Sequence, residues 1–491
     1  MMKRQATEPC DLPAVEARRL IGAKVLSPVE LLESCLKRTA ETNTAVNAVV
    51  AQDEALAHAT AKEHEAEVMA GNPLGLLHGL PVGIKDLEPV RGLRSTWGSL
   101  IFKDHVPTED GTNVANVRMA GANIFAKTNT PEFGAGANTR NRVYGATGNP
   151  FDPTLTAAGS SGGSAVALAV GQMPLATGSD YGGSLRTPAA YGGVVGFRPS
   201  VGVVPSPDRS AGLVPWGVLG PMGRSVDDAY LLLRAQVDEN VNDPYSTGIL
   251  DLPEVLVPAD LASLRVAVTA DFGEAPVARS IRAVFADRMR RLDAWVGPAE
   301  ETHPDFSGLH DIFEIHRGVA FATQHREKLA KHRDLLDRNV IDNTESGLKL
   351  GMAEIGRAMV EQHALMKRVN AFFDDWDVMI APMAAVSPFP HSQLFVEEID
   401  GERMPTYMRW LALAYAPTMA LCCACSIPCG RDDKGLPFGV QVIGPRGSDL
   451  HVLQVAVALE AAFASEADTV RPVPDIAKLA AQRPARAGKG A

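Results

Sequence analysis

The chain has 491 residues, 46% of them hydrophobic and 21% charged, ordinary proportions for a soluble globular protein that exclude a fibrous or wholly disordered one. Its formal net charge is −11, from 47 Lys and Arg against 58 Asp and Glu, and no stretch interleaves basic clusters with aromatics, which argues against a nucleic-acid partner. The opening MMKRQATEPCDLP lacks the apolar core of a signal peptide, and no run of about 18 apolar residues offers a membrane span, so a cytoplasmic protein with no membrane partner is expected.

Residues 13–70 are rich in Ala and Glu with apolar residues at helical spacing. In SPVELLESCLKRTAE, Ser27 predicts an N-cap, Pro28 the first helical position and Glu30 the reciprocal acceptor of a capping box. Ser34 and Lys37 fit S-x-x-K, but they sit inside that helix and no K-T-G accompanies them, so the spacing carries no penicillin-binding chemistry. A short extended piece and a second long helix, ending at Gly71, follow.

From residue 79 to about 230, short β-branched runs punctuated by glycine alternate with helical stretches, the texture of an α/β sheet with covering helices. Residues 275–375 turn helical and charged, the remainder returns to strands and loops, and 476–491 reads as a flexible polar tail. No linker or low-complexity segment divides the chain, so one large domain over 1–475 is expected. GLPVGIK at 79–85 and GLPFGVQ at 435–441 echo each other, each a Gly-Pro turn releasing into a buried strand. Cys422, Cys423, Cys425 and Cys429 crowd together with no histidine close by in sequence, and buried, reduced thiols are expected there rather than a metal.

TAAGSSGGSAVALAVG, residues 156–171, sets three serines among glycines. A phosphate loop is excluded because no lysine follows the glycines. A nucleophile elbow on Ser161 would need a strand running into it, and NPFDPTLTAA reads as irregular coil; a downstream acid and histidine have no convincing setting, since His325 and His332 lie in a Lys-, Arg- and Glu-rich helix where solvated rings are expected. What remains is a serine hydrolase whose base is not histidine. Downstream, Tyr181, Gly182 and Gly183 run into Ser184, and two glycines before a serine let backbone N–H groups converge as an oxyanion hole requires. Upstream, Lys85 closes an apolar run and is followed by Asp86, which a strand would turn to the opposite face.

These segments, together with AKTNTPEFGAGANTRNRVYGATGNPFDP, SDYGGSLRTPAAYGGVVGFRPS, GPMGRSVDDAYLLL and GLPFGVQVIGP, give a chain that resembles the amidase signature family over most of residues 20–460. The resemblance implies a single large α/β/α domain built on a twisted mixed β-sheet. It implies a Ser-cisSer-Lys triad with Ser184 as nucleophile, Ser160 as bridging serine in a cis peptide linkage, and Lys85 as base. It further implies that Tyr181, Gly182, Gly183 and Ser184 hold the oxyanion, that Asp180 and Arg186 support the loop, and that Phe133 and Gly134 line the acyl side of the substrate site. Ser161 and Ser164 are expected to bond locally at a helix start. Ser179 stands where the family commonly has Thr, and Tyr181 is bulkier than the usual residue at its position.

The resemblance implies no metal and no organic cofactor, a small or aryl carboxylic acid amide as the small-molecule substrate, and a fold compatible with a homodimer. A glutaminase subunit of a tRNA-dependent amidotransferase is the alternative, against which stands the missing Tyr-Asp-Gly run; a silent scaffold protein is disfavoured because Lys85, Ser160 and Ser184 are all present. The helical stretch 275–375 is expected to cover the mouth of the site and to influence substrate choice.

Overall fold

The computed structural model describes residues 8–209, 212–246, 248–297 and 299–482. The first seven residues, and residues 483–491 of the expected tail, lie outside this set. The fold is organised by one eleven-stranded sheet. From edge to edge it runs Val49–Gln52, Asn123–Thr128, Pro81–Lys85, Leu175–Asp180, Val218–Gly223, Val195–Arg198, Cys423–Arg431, Pro437–Gly444, Val378–Pro382, Val266–Val268 and Ala299–Glu301. Pro81–Lys85 lies parallel to both of its neighbours. The five pairings from Leu175–Asp180 through to Val378–Pro382 are antiparallel. The sheet is therefore mixed, and helices flank it.

Residues that alternate along a strand face opposite sides of a sheet, and the core divides accordingly. Ile124 and Leu175 belong to one apolar cluster, with Ala14, Val114 and Leu232 from covering helices. Their chain neighbours Phe125 and Ala176 belong to another, with Ala165, Leu168 and Ala189 from helices Gly162–Ala169 and Arg186–Gly192. Central strands are buried on both faces, which is why Pro81–Lys85 and Pro437–Gly444 show no exposed residue. Both halves of the Gly-Leu-Pro echo thus enter buried strands.

The N-terminal helices form as the capping chemistry predicts. Ser27 Oγ accepts from the Val29 amide at 2.9 Å and the Ser27 amide donates to Glu30 Oε2 at 3.0 Å. Helix Pro28–Val46 ends at Asn47 and helix Glu54–Ala70 at Gly71, both left-handed residues. Replacing Ser27 by Ala should cost about 1 kcal/mol, read as a lowered midpoint in urea with unchanged slope.

Three expectations are corrected. The region 275–375 is largely helical, in Arg279–Leu292, Leu309–His332, Arg338–Leu348 and Met352–Phe372, but it also supplies the strand Ala299–Glu301 at the edge of the main sheet. The C-terminal part is more than strands and loops: Asp449–Phe463 is a helix, apolar almost all round, so its burial erased the amphipathic period that would reveal it. The tail begins as structure, because Ile476–Ala480 is a helix capped by the Asp475 side chain, with Leu479 buried. All six cysteines are buried and unpaired. Burial pushes the thiols of Cys422 and Cys429 up to about 12. None of the described helices is long and apolar enough to cross a membrane.

Candidate active site

Lys85 ends its strand with a side chain that is 0% exposed. Its Nζ donates to Ser160 Oγ at 2.7 Å, Ser161 Oγ at 2.8 Å and Ser179 Oγ at 2.9 Å. No carboxylate among the described residues pairs with it. Burial pulls this ammonium down to about 7, against the opposing but more distant charges of Asp180 and Glu88. Its backbone is held as well: the Lys85 amide donates to Thr177 Oγ1 at 3.1 Å, and that hydroxyl donates to Glu88 Oε1 at 2.6 Å.

Asp86 turns away, as strand alternation requires. It accepts from the Thr96 amide at 3.0 Å and the Thr96 hydroxyl at 2.6 Å, and it faces Lys127 Nζ at 3.5 Å. The lysine and the aspartate that adjoin in sequence therefore serve separate networks.

The serines arrive from two loops. The Gly159–Ser160 peptide is cis. The stretch before it is irregular, and Ser161 is the N-cap residue of helix Gly162–Ala169 without a side-chain cap bond. The Ser161 amide donates to the Ser184 carbonyl at 3.2 Å, which ties the two serine-bearing loops together. Gly134 is adjacent: a Cβ there would stand 3.3 Å from Ser160 Oγ and 3.0 Å from Leu87, and its φ is +71°, so no larger residue fits comfortably.

The loop after strand Leu175–Asp180 is clamped from beneath. Asp180 accepts from Arg186 Nε at 3.0 Å and Nη2 at 3.1 Å, and from Arg198 Nη1 at 3.3 Å. Burial alone would raise this carboxyl, but the two guanidiniums outweigh it and hold it down at about 2. Arg186 reaches onward to Gln441 Oε1 and the Ala414 carbonyl, both at 2.8 Å. Arg198, which sequence reading did not single out, also donates to the Asp180 carbonyl at 2.7 Å.

Asp180 also engages one of the four amides expected to hold the oxyanion. The Gly183 N–H donates to Asp180 Oδ1 at 2.9 Å and the Leu185 N–H to Oδ2 at 3.2 Å. The Gly183 amide is therefore engaged by Asp180 and shapes the loop.

Ser161 and Ser164 behave otherwise than expected, and Ser179 joins the lysine. Ser161 faces Lys85 rather than serving a local turn, Ser179 faces Lys85 as well, and Ser164 bonds across to Thr128 Oγ1 at 2.7 Å and the Thr177 carbonyl at 2.8 Å. The signal for Ser179 was present: Thr177 and Ser179 alternate in ATGSD, so a strand there sets two hydroxyls on one face.

Helix Leu309–His332 closes over this surface. Phe313 lies edge-on to Tyr181 with ring centroids 6.2 Å apart and stacks on Tyr415 at 3.9 Å. Phe133 packs on His325 at 4.8 Å. His325 is thus not the solvated ring expected. It is 3% exposed, and burial pushes it down to about 4. Its polar neighbours Gln324, Arg326 and Glu327 are exposed, because only one face of the helix turns inward.

A wider cleft of about 620 Å³, lined by Ser387, Phe389 and Val396 among others, opens elsewhere and contains none of these groups. Among the described residues, one set of metal-ligating types converges: His64, Glu67 and His78, with donor atoms within 4.8 Å of one another. It lies outside the lysine–serine cluster, which itself offers only hydroxyl and amine groups.

The chain matches the family model described as Amidase over residues 30–453. It is 31% identical over 467 residues to an acylamidase of Rhodococcus erythropolis, covering 92% of this chain and 95% of that protein. It is 32% identical over 471 residues to a glutamyl-tRNA(Gln) amidotransferase subunit of Acaryochloris marina, covering 89% and 95%. Among solved structures, a bacterial aryl acylamidase of the amidase signature family matches with a TM-score of 0.86 at 27% identity, over 96% of this chain and 99% of that one. Sequence and fold agree over nearly their whole extent, and the chain belongs to the amidase signature family of amide-hydrolysing enzymes.

Proposed function

We propose that the protein hydrolyses the C–N bond of a small or aryl carboxylic acid amide through a Ser184 acyl-enzyme, with Lys85 as base and Ser160 as relay. The observation that carries this reading is the buried amine of Lys85, surrounded by hydroxyls and lowered to about 7. An amine held there is largely neutral at slightly alkaline pH and can accept a proton, whereas an ordinary lysine, titrating near about 10.4, cannot.

In the acylation step Ser184 Oγ bonds to the amide carbonyl carbon. Its proton passes to Ser160 Oγ, and the Ser160 proton passes to Lys85 Nζ. The tetrahedral oxyanion accepts from the amides of Tyr181, Gly182 and Ser184. As the C–N bond breaks, Lys85 returns a proton through Ser160 to the departing nitrogen, so that a neutral amine or ammonia leaves. Water then attacks the Ser184 ester with the same relay as base, and the carboxylic acid departs with Ser184 restored. Asp180 and Arg186 support the loop, and Phe133 and Gly134 border the acyl side.

The amidotransferase relatives keep a second reading alive, a glutaminase that works within a larger assembly. Treatment of the purified protein with a fluorophosphonate, followed by peptide mapping, tests the relay. Label is expected on Ser184 and is lost in Lys85→Ala. Label on Ser161 instead, or none on any serine, would defeat the proposal, and turnover of glutamine only with an added partner protein would favour the second reading.

A further inference from the structure

The relay leaves a wall of polar groups unused. Helix Leu309–His332 carries Arg317, Phe321, His325 and Lys328 at spacings that set them on one face. That face joins the two ends of the active site. The Arg317 guanidinium carbon stands 4.5 Å from the Phe321 ring centroid and 6.0 Å from that of Tyr181, the residue before the glycines. At the other end, Lys328 Nζ stands 5.5 Å from the centroid of Phe133, the residue before Gly134.

Arg317 is only 6% exposed, yet its partners are neutral. Its Nε donates to Asn343 Oδ1 at 2.9 Å and its Nη2 to the Tyr407 hydroxyl at 2.8 Å, and no carboxylate among the described residues pairs with it. The acids nearby are committed elsewhere: Glu314 to Thr406 and Arg409, and Glu132 to the Ser99 hydroxyl and the Asp337 amide. A buried cation without an anion is unfavourable unless something else completes it.

Other unmatched groups lie along the same wall. Both ring nitrogens of His325 are buried without a partner, and so is the Tyr181 hydroxyl. Arg317 Nη1, one His325 N–H, the Tyr181 O–H and the Lys328 ammonium are all donors. The rings of Phe133, Phe321 and Tyr181 lie between them. The His325 and Tyr181 donors are buried without an acceptor, and beside them stand two cations with no carboxylate partner among the described residues, Arg317 and Lys328, the latter donating to the Gln324 carbonyl at 3.0 Å. Such a wall calls for an acceptor-rich ligand, and a planar aromatic acid meets both the donors and the rings.

We propose that this face of helix Leu309–His332 is a subsite for a carboxylate carried by the substrate, which makes the substrate class an aryl amide bearing a carboxylate remote from the scissile bond. The proposal rests on the amidase reading for the identity of the scissile group, but its recognition element is separable from the chemistry. Arg317 takes the carboxylate as a charge-assisted pair, and the ammonium of Lys328, about 16 Å further along the helix, adds attraction at longer range.

The test is calorimetric titration of a Ser184→Ala protein with 4-carbamoylbenzoate and with benzamide at pH 7. The carboxylate should bind at least about tenfold more tightly, the effect of one charge-assisted hydrogen bond. Arg317→Met in the same background should reduce that preference to about threefold or less. Lys328→Met, at a partly buried position where the methionine keeps the apolar contact with Phe133, should lower it in the same direction. Equal affinity for the two compounds, a preference untouched by both substitutions, or no binding of either overturns the subsite. Should the Ser184-containing enzyme cleave neither compound while the preference persists in Ser184→Ala, the serine relay is refuted for these amides and the carboxylate subsite is upheld.

Discussion

Lys85→Ala should lower kcat/KM for an amide substrate by about 10³-fold or more, without a comparable loss of substrate affinity. Removing the base of a serine relay removes an interaction made only as the nucleophile is deprotonated, and general-base contributions lie between about 10² and 10⁴. Three hydroxyls, those of Ser160, Ser161 and Ser179, lose their common donor, so no neighbouring group inherits the role. The wild-type pH profile checks the same point independently. The amine acts as base only when neutral, so kcat/KM should rise with pH up to about 7, where the lysine titrates, and level off above it. A profile rising only near the ordinary lysine value, or a Lys85→Ala enzyme of nearly full activity, would remove Lys85 from the reaction.

The same group bears on stability in the opposite sense to an ion pair. Between pH 7 and 10.5 the unfolded chain holds a proton on Lys85 that the folded chain has released, so folding gains stability as pH rises through that window. Below about 7 the folded protein carries the whole cost of a buried ammonium. The lysine is thus retained at the expense of stability, as functional groups in cores commonly are.

The largest loss of stability is expected from Asp180→Ala, about 3–5 kcal/mol, because it strands Arg186 and Arg198 as buried cations in one step. Both guanidiniums are close to fully buried, and the carboxylate also organises the loop through the Gly183 and Leu185 amides. Chemical denaturation reads the stability. The released Gly183 amide should misplace Ser184, so activity should fall even where the protein still folds. Acid should erode the same contribution: Asp180 is held at about 2 against an ordinary 3.8, so its share of stability is present above about pH 4 and is lost as pH falls through 2. A variant as stable and active as wild type would show that the clamp does nothing.

How far the sequence speaks for the site depends on how local each determinant is. Lys85, Ser160, Ser184, Asp180 and Arg186 lie in long ordered motifs, and the structure gathers these segments in one place. Ser27 and Gly71 act through neighbours a few residues away, so their caps could be read from the local order of residues. His325 could not, because Gln324, Arg326, Glu327 and Lys328 advertise solvent while the ring turns between Phe133 and Phe321. Its environment is made by a loop almost two hundred residues earlier in the numbering, and nothing in the helix encodes that. Helix Asp449–Phe463 was hidden for the reverse reason, since burial on nearly every side leaves no contrast to detect. The Gly183 amide escaped because a pair of glycines predicts that backbone donors can converge, not which acceptor they choose.

The reach of Arg186 to Gln441 has a consequence for synthesis. A chain leaving the ribosome can pair Pro81–Lys85 with Asn123–Thr128 and Leu175–Asp180 early, gathering the lysine with its hydroxyls. The glutamine that completes the clamp is 255 residues beyond Arg186. It lies on the strand beside Cys423–Arg431, which in turn pairs with Val195–Arg198. Closing so long a loop adds little entropy cost beyond that of a shorter one, but such non-local pairing is slow. The loop that follows strand Leu175–Asp180 therefore gains its full support only once the C-terminal strands have been made.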